Sequence, residues 1–260
     1  MEKYMKWPQW LVLIRHDVSE HNVLKHQKAK DPTYQQFIKA FETEPESLAT
    51  VELARVIARK YALEVSDANT SLVDVESKNA KTVGVALKEK FDLPEVIFCS
   101  PYLRTRQTFK GLVAGWPELA NVKTFEEERI REQDHGISSL YNDWRVFQTL
   151  HPEQRLLNER QGLYWYTYPQ GENVPMLRDR LRSWINSLVR DYHSKKVLVI
   201  THHLSILGIR ANLERLSEKE FMELDRNYKP CNCGVTLYSG MPQHGENGRL
   251  KLTYYNKKFY

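Results

Sequence analysis

A chain of 260 residues is long enough to bury a sizeable core, as one large domain or two small ones. Its 41% hydrophobic and 27% charged side chains are ordinary for a soluble globular protein and exclude a disordered or fibrous one. The net charge of +5, from 38 basic and 33 acidic groups, favours small anions as much as nucleic acid; with no long block of like charge, no nucleic-acid partner is expected.

The three cysteines, Cys99, Cys231 and Cys233, do not make a disulfide framework, and the lone C-x-C lacks the second ligand pair of a zinc site. No metal is expected. Residues 1–10 carry no apolar signal region, and no run approaches the roughly 18 apolar residues of a membrane span. These features predict a soluble, cytoplasmic protein of a reducing compartment with no membrane partner.

In chain order, residues 11–14 form an unbroken apolar run, which reads as a strand buried on both faces and ending in Arg15 and His16. Residues 18–31 are polar, and Lys25, His26, Lys28 and Lys30 read as a solvated face. Helical spacing follows over 33–41 and 47–61, then a loop over 67–71. Ser77 is placed to cap a helix running to Phe91. Residues 96–99 read as a second buried strand, with Ser100 as N-cap and Pro101 as first residue of the next helix, which Gly115 ends. A short strand over 122–125 precedes a charged loop over 126–136.

Residues 144–170 are aromatic-rich without a clear period, and Trp165, Tyr166 and Tyr168 are read as core packing ahead of a pocket lining. Asn173 and Pro175 open a helix striped by Leu177, Leu181, Trp184, Ile185, Leu188, Val189 and Tyr192. Residues 197–200 are the third buried strand, ending in Thr201-His202-His203 before a helix to about Arg215. Ser217 and Glu220 form a capping box. Residues 234–239 and 249–255 read as two last strands, the second near an edge.

Strands alternating with helices predict an α/β three-layer sandwich: a mostly parallel central sheet with helices on both faces. No linker is visible, so one domain over 1–260 is expected, with residues 18–75 as a helical insertion after the first strand.

Ligands of open α/β sheets bind beyond the carboxyl ends of the strands. There the three buried strands would gather Arg15 and His16, Ser100 and Arg104, and His202 and His203. Arginine forks match phosphate oxygens, and neutral imidazole can attack phosphorus. A leaving alkoxide needs a proton, for which the acidic loop after 125 is the natural source.

The stretch Arg15-His16-Asp17-Val18-Ser19-Glu20-His21-Asn22 resembles the signature R-H-G-x-[ST]-x-x-N of the histidine phosphatase superfamily, the phosphoglycerate mutase-like proteins. Ser100 to Thr108 is similar to its S-x-x-x-R-x-x-x-T motif, and Glu132 to Gly136 to its E-x-x-x-G loop. Gly171-Glu172 and residues 197–203 also match in order. The resemblance implies that His16 is phosphorylated, that Arg15, Arg104 and His202 clamp the phosphoryl oxygens, and that Asn22 helps hold them. It implies Glu132 as general acid and then base, with no metal or other cofactor.

Two departures stand out: Asp17 and His203 occupy the places of family glycines. A carboxylate at 17 either disfavours phosphate or points away toward a cation. His203 beside His202 is a second candidate for phosphate binding. The leading expectation is a phosphomonoester hydrolase with a phosphorylated small-molecule substrate. A phosphoglycerate mutase-type phosphoryl transfer and an inactive phospholigand-binding protein on the same fold remain alternatives. The sequence does not give the substrate or the oligomeric state.

Overall fold

Leu11 and Leu13 bury on one face of the first strand, and Val12 and Ile14 on the other. That two-sided burial is what an unbroken apolar run in a covered sheet requires. The computed structural model describes residues 5–62 and 64–260. Its strands are β1 (Trp10–Arg15), β2 (Val96–Cys99), β3 (Thr124–Glu126), β4 (Lys196–Thr201), β5 (Val235–Met241) and β6 (Arg249–Lys257). They form one sheet in the order β3-β2-β4-β1-β5-β6. The first four in that order run parallel, while β5 pairs antiparallel with both of its neighbours, β1 and β6. The mostly parallel sheet and the edge position of the last strand are as expected.

The described residues divide into two compact units, the first being 5–19, 71–132 and 177–260. In it α4 (Lys78–Lys90) and α5 (Leu103–Gly115) cover one sheet face, where Val83, Leu87 and Leu112 meet Val12, Ile97 and Leu198. On the other face α8 (Val174–Asp191) and α9 (His203–Glu214) bring Leu181, Trp184 and Ile206 to Leu13, Phe98 and Val199. Gly115 does more than stop α5. A Cβ there would lie 2.0 Å from the carbonyl oxygen of Lys81, so the glycine lets α4 and α5 touch backbone to backbone. Helix α10 (Glu218–Asn227) starts with the expected Ser217–Glu220 capping box.

Two expected caps are absent. Ser77 precedes α4 in a left-handed conformation and makes no cap bond. Helix α5 begins at Leu103 rather than Pro101, with Tyr102 at its N-cap. Both serine hydroxyls are held by distant side chains instead, as described below. The short strand starts at Thr124, two residues later than expected, and part of the loop over 67–71 is a single 3₁₀ turn, Asp67–Asn69.

The second unit comprises 20–70 and 133–176. Helices α1 (Glu20–Lys30), α2 (Pro32–Thr43), α3 (Leu48–Lys60), α6 (Trp144–Leu150) and α7 (Pro152–Gln161) build it around Phe37, Ala54, Ile57, Tyr61 and Val146. Residues 144–150 and 152–161 are therefore helical where no period was legible, because α6 and α7 are too short to display one. Tyr166 and Tyr168 are buried as expected, but Trp165 is exposed.

The polar stretch after β1 is α1, and Lys28 in it is not solvated. Its Nζ lies 2.8 Å from Asp143 Oδ2, with both side chains about 95% covered by protein. It also donates to the carbonyl of Asn142. Asp143 in turn caps α6 and accepts from Tyr34. A buried carboxylate stripped of its cation is costly, on the order of 3–5 kcal/mol. Lys28→Ala is expected to lower unfolding free energy by about that amount, measured by urea denaturation. A change within experimental scatter would show that Asp143 is satisfied without the lysine.

Candidate active site

The site is built by backbone register. In the parallel ladders Arg15 is level with Thr201 and Cys99 with Ile200. The residues just beyond these strand ends, His16, Ser100 and His202, therefore emerge on one edge of the first unit. His16 N–H donates to the carbonyl of Thr201 at 2.9 Å, and Ser100 N–H to that of Ile200 at 3.0 Å.

His16 is buried, and its two ring nitrogens have different partners. Nδ1 lies 2.7 Å from the carbonyl oxygen of Asp17. Nε2 accepts from Arg104 Nε at 3.3 Å. A guanidinium N–H can only donate and a carbonyl can only accept. The partners thus assign the proton to Nδ1 and a lone pair to Nε2. The His202 ring stands 5.3 Å from that of His16, centroid to centroid.

His202 is fully buried, with Nε2 and Ser100 Oγ 2.7 Å apart. Among the described residues its Nδ1 is buried without a partner, as is Nε of Arg15. Arg15 is otherwise fixed by Nη1 donating to the carbonyl of Pro230 at 2.7 Å. Burial lowers the Arg15 pKa despite Glu132 nearby, and Arg104 adds to the lowering. Burial also holds His202 well below the ordinary histidine value, reinforced by Arg104, His16, Arg15 and Arg180. It is therefore neutral near pH 7. Tyr102 packs against both Arg104 and His202, 4.8 Å and 4.9 Å from its ring centroid.

Glu132 enters from the loop after β3. Leu204 N–H, at the start of α9, lies 3.1 Å from its Oε1 and 3.4 Å from its Oε2. Glu127 is instead paired with Arg129 at 2.7 Å, and Glu126 faces Arg106. Of the acidic candidates in this loop, Glu132 is the one fixed at the mouth of α9.

His203 turns elsewhere, with Nε2 2.8 Å from Asp225 Oδ1 on α10. Asn22 lies in the first turn of α1, in the second unit. The Asp17 side chain is turned toward the start of α4. Its carboxylate accepts from Ser77 Oγ, Asn79 Nδ2 and the N–H of Val18. Its partners are neutral donors, not the cation expected of a carboxylate turned aside.

Two residues that hold the site, Arg180 and Asn232, carry no sequence signal. Arg180, one charged position of an amphipathic helix, donates to the carbonyls of Arg129, Arg131 and Glu132 and so holds the loop that bears Glu132. Asn232 Nδ2 donates to the carbonyls of both His16 and Asp17. The threonine of the second motif, Thr108, accepts from Asp17 N–H and donates to the carbonyl of Arg104. In the second unit Glu172 N–H donates to the carbonyl of Asp134, which ties the Gly171-Glu172 pair to the segment after Glu132.

Residues 61–251 match the family described as the histidine phosphatase superfamily, branch 1. Arg15 and His16 lie before that stretch and are joined to it by the β1–β4 ladder. Over 94 residues the chain is 36% identical to the phosphoglycerate mutase-like protein AT74H of Arabidopsis thaliana, covering 36% of this chain and 31% of that protein. The match thus spans under a third of that relative's length. It is 22% identical to the broad-range acid phosphatase DET1 of Saccharomyces cerevisiae, with 75% of both chains covered. Solved structures share the fold, among them the following two. Mycobacterial glucosyl-3-phosphoglycerate phosphatase with inorganic phosphate has a TM-score of 0.61 at 17% identity, covering 96% of this chain and 98% of that one. Bacillus stearothermophilus YhfR has 0.62 at 14% identity, covering 96% and 99%.

The two low-pKa histidines set a pH dependence of stability. Burial lowers His203 as well, against the opposing pull of Asp225. As pH falls below about 6.5, the unfolded chain takes up protons that the native histidines refuse. The unfolded state then binds more protons, so stability falls with pH, by at most about 1.4 kcal/mol per unit for each group. Urea midpoints are expected to drop between pH 7.5 and 5.5, and His202→Gln is expected to make that drop shallower. An unchanged slope in the variant would show that His202 is not held neutral.

Proposed function

The chain belongs to the histidine phosphatase superfamily, and from that premise we propose a phosphomonoester hydrolase working through a phosphohistidine on His16. The observation that carries the reading is the contact between Arg104 Nε and His16 Nε2. It marks the lone-pair nitrogen as the one facing a cation, where an incoming phosphoryl group would be drawn.

Phosphoryl oxygens would be held by Arg104, by the Nε of Arg15 and by Nδ1 of His202. The last donates if Ser100 Oγ–H donates to Nε2, the tautomer that satisfies both atoms. Two arginines and a neutral imidazole offset charge on the equatorial oxygens without adding a third buried cation. Asn22 is assigned to the same anion by the motif alone.

His16 Nε2 attacks phosphorus in line, forming the N–P bond as the ester P–O bond breaks. The leaving oxygen takes a proton from Glu132. In the second half, Glu132 accepts a proton from water as the water oxygen bonds phosphorus. The N–P bond then breaks and returns its electron pair to Nε2. A carboxyl fixed by Leu204 N–H at a helix start is suited to shuttling one proton between two oxygens. No step calls on a metal or other cofactor, and a phosphorylated small molecule is the substrate class.

The test is phosphate release from an aryl phosphate in EDTA. His16→Ala is expected to abolish it, and Glu132→Gln to lower kcat by about 10²–10⁴. Acid-quenched wild type should carry labelled phosphate on histidine, while His16→Ala should carry none. Release that survives in His16→Ala would overturn the mechanism, and no release from wild type would overturn hydrolysis.

A further inference from the structure

We propose that Asp17 is a positioning residue for His16, acting through the peptide that joins them; the proposal rests on the phosphohistidine reading above. The resembled family carries glycine at this place, whereas here a buried carboxylate occupies it. That carboxylate is tied on both oxygens. Oδ2 accepts from Ser77 Oγ at 2.8 Å, and Oδ1 from Asn79 Nδ2 at 3.0 Å and Val18 N–H at 2.8 Å. Ser77 immediately precedes α4 and Asn79 lies in its first turn. Asp17 therefore fastens the end of β1 to the start of α4.

The backbone of the same residue is fastened as tightly. Its N–H donates to Thr108 Oγ1 at 2.9 Å, and its carbonyl accepts from Asn232 Nδ2 at 3.1 Å. That carbonyl also accepts the His16 Nδ1 proton at 2.7 Å. The tautomer of the nucleophile thus depends on where one carbonyl points. On a glycine the carbonyl can turn with little hindrance. On Asp17 the side chain is a third tether that fixes the residue from the α4 side.

This also accounts for Ser77, which is poised to cap a helix and does not. Its hydroxyl is used on Asp17. No proton passes through Asp17, and its carboxylate does not touch the reacting atoms. Its effect is to keep Nδ1–H engaged, so that the Nε2 lone pair remains the one facing Arg104.

The test compares Asp17→Asn, Asp17→Ala and Asp17→Gly in three measurements. These are aryl phosphate kinetics, the dissociation constant of inorganic phosphate, and the ¹⁵N shifts of the His16 ring. Asparagine keeps an acceptor for Asn79 and Val18, and the Ser77 hydroxyl can accept from its amide. It is expected to stay within about threefold of wild-type kcat. Alanine and glycine are expected to lower kcat about tenfold, the equivalent of one lost hydrogen bond. KM and phosphate affinity should hold within about twofold. Their ring shifts should move from the Nδ1–H form toward a mixture of tautomers.

Wild-type kcat and ring shifts in the alanine variant would overturn the proposal. So would tighter phosphate binding with unchanged kcat, since the carboxylate would then act only by repelling the ligand. If the alanine variant does not fold, Asn79→Ala removes one tether and should show a smaller kcat loss in the same direction; none would overturn it. If wild type hydrolyses nothing, the ring shifts still decide the role of Asp17, and only the hydrolase reading falls.

Discussion

His16 donates its backbone N–H to Thr201, and Ser100 donates its own to Ile200. Everything at the strand ends depends on these two bonds, because they close the parallel ladders that align β1, β4 and β2. Side chains alternate faces along a strand, so a slip of one residue would carry His16 to the opposite face and Arg15 into its place. The apolar cores prevent the slip. Leu11 and Leu13 belong to the core under α8 and α9, and Val12 and Ile14 to the one under α4 and α5. Exchanging them would misfit both layers at once, and a covered sheet has no solvent face to absorb the error.

The same burial that fixes register makes the electrostatics severe. Arg15, Arg104, His16 and His202 are gathered where water is largely excluded, and the carboxylate fixed beside them is Glu132. The molecule limits the resulting repulsion by keeping His202 neutral, which burial and the neighbouring cations enforce together. Backbone carbonyls do the rest. Pro230 takes an N–H of Arg15, and Arg129, Arg131 and Glu132 take those of Arg180. Carbonyl partners orient a guanidinium without cancelling its charge, so the positive potential remains available to an anion.

Much of this was legible in the sequence, for reasons that differ by element. The strands β1, β2 and β4 declare themselves because burial on both faces demands an unbroken apolar run, which few other structures do. Once they are placed, the strand-end rule gathers Arg15, His16, Arg104 and His202 without further information. The two serines show where such reading stops. Ser77 and Ser100 each precede a helix and look like caps, yet their partners Asp17 and His202 lie 60 and 102 residues away. A local pattern cannot reveal a bond closed by tertiary structure. Lys28 misleads in the same way: its charge predicts solvent, and only Asp143 and the Asn142 carbonyl, far on in the sequence, make its burial tolerable. Arg180 is invisible for another reason. On an amphipathic helix most charged positions are solvated, and nothing marks the one whose fork meets three carbonyls.

The buried polar groups next to His16 fall into two kinds. Around Asp17 the donors and acceptors match: Ser77, Asn79, Val18, Thr108 and Asn232 each meet a complementary atom. Such a network is rigid and asks nothing of a ligand. A few residues away, Arg15 Nε and His202 Nδ1 are buried without partners among the described residues. Each carries a desolvation penalty that folding does not relieve. Both belong to groups that meet at the strand ends, and both can donate. Other buried atoms among the described residues, such as Trp184 Nε1 and Arg210 Nη1, are also without partners, but only these two stand at the strand ends beside His16, where two donors left open suit an anion.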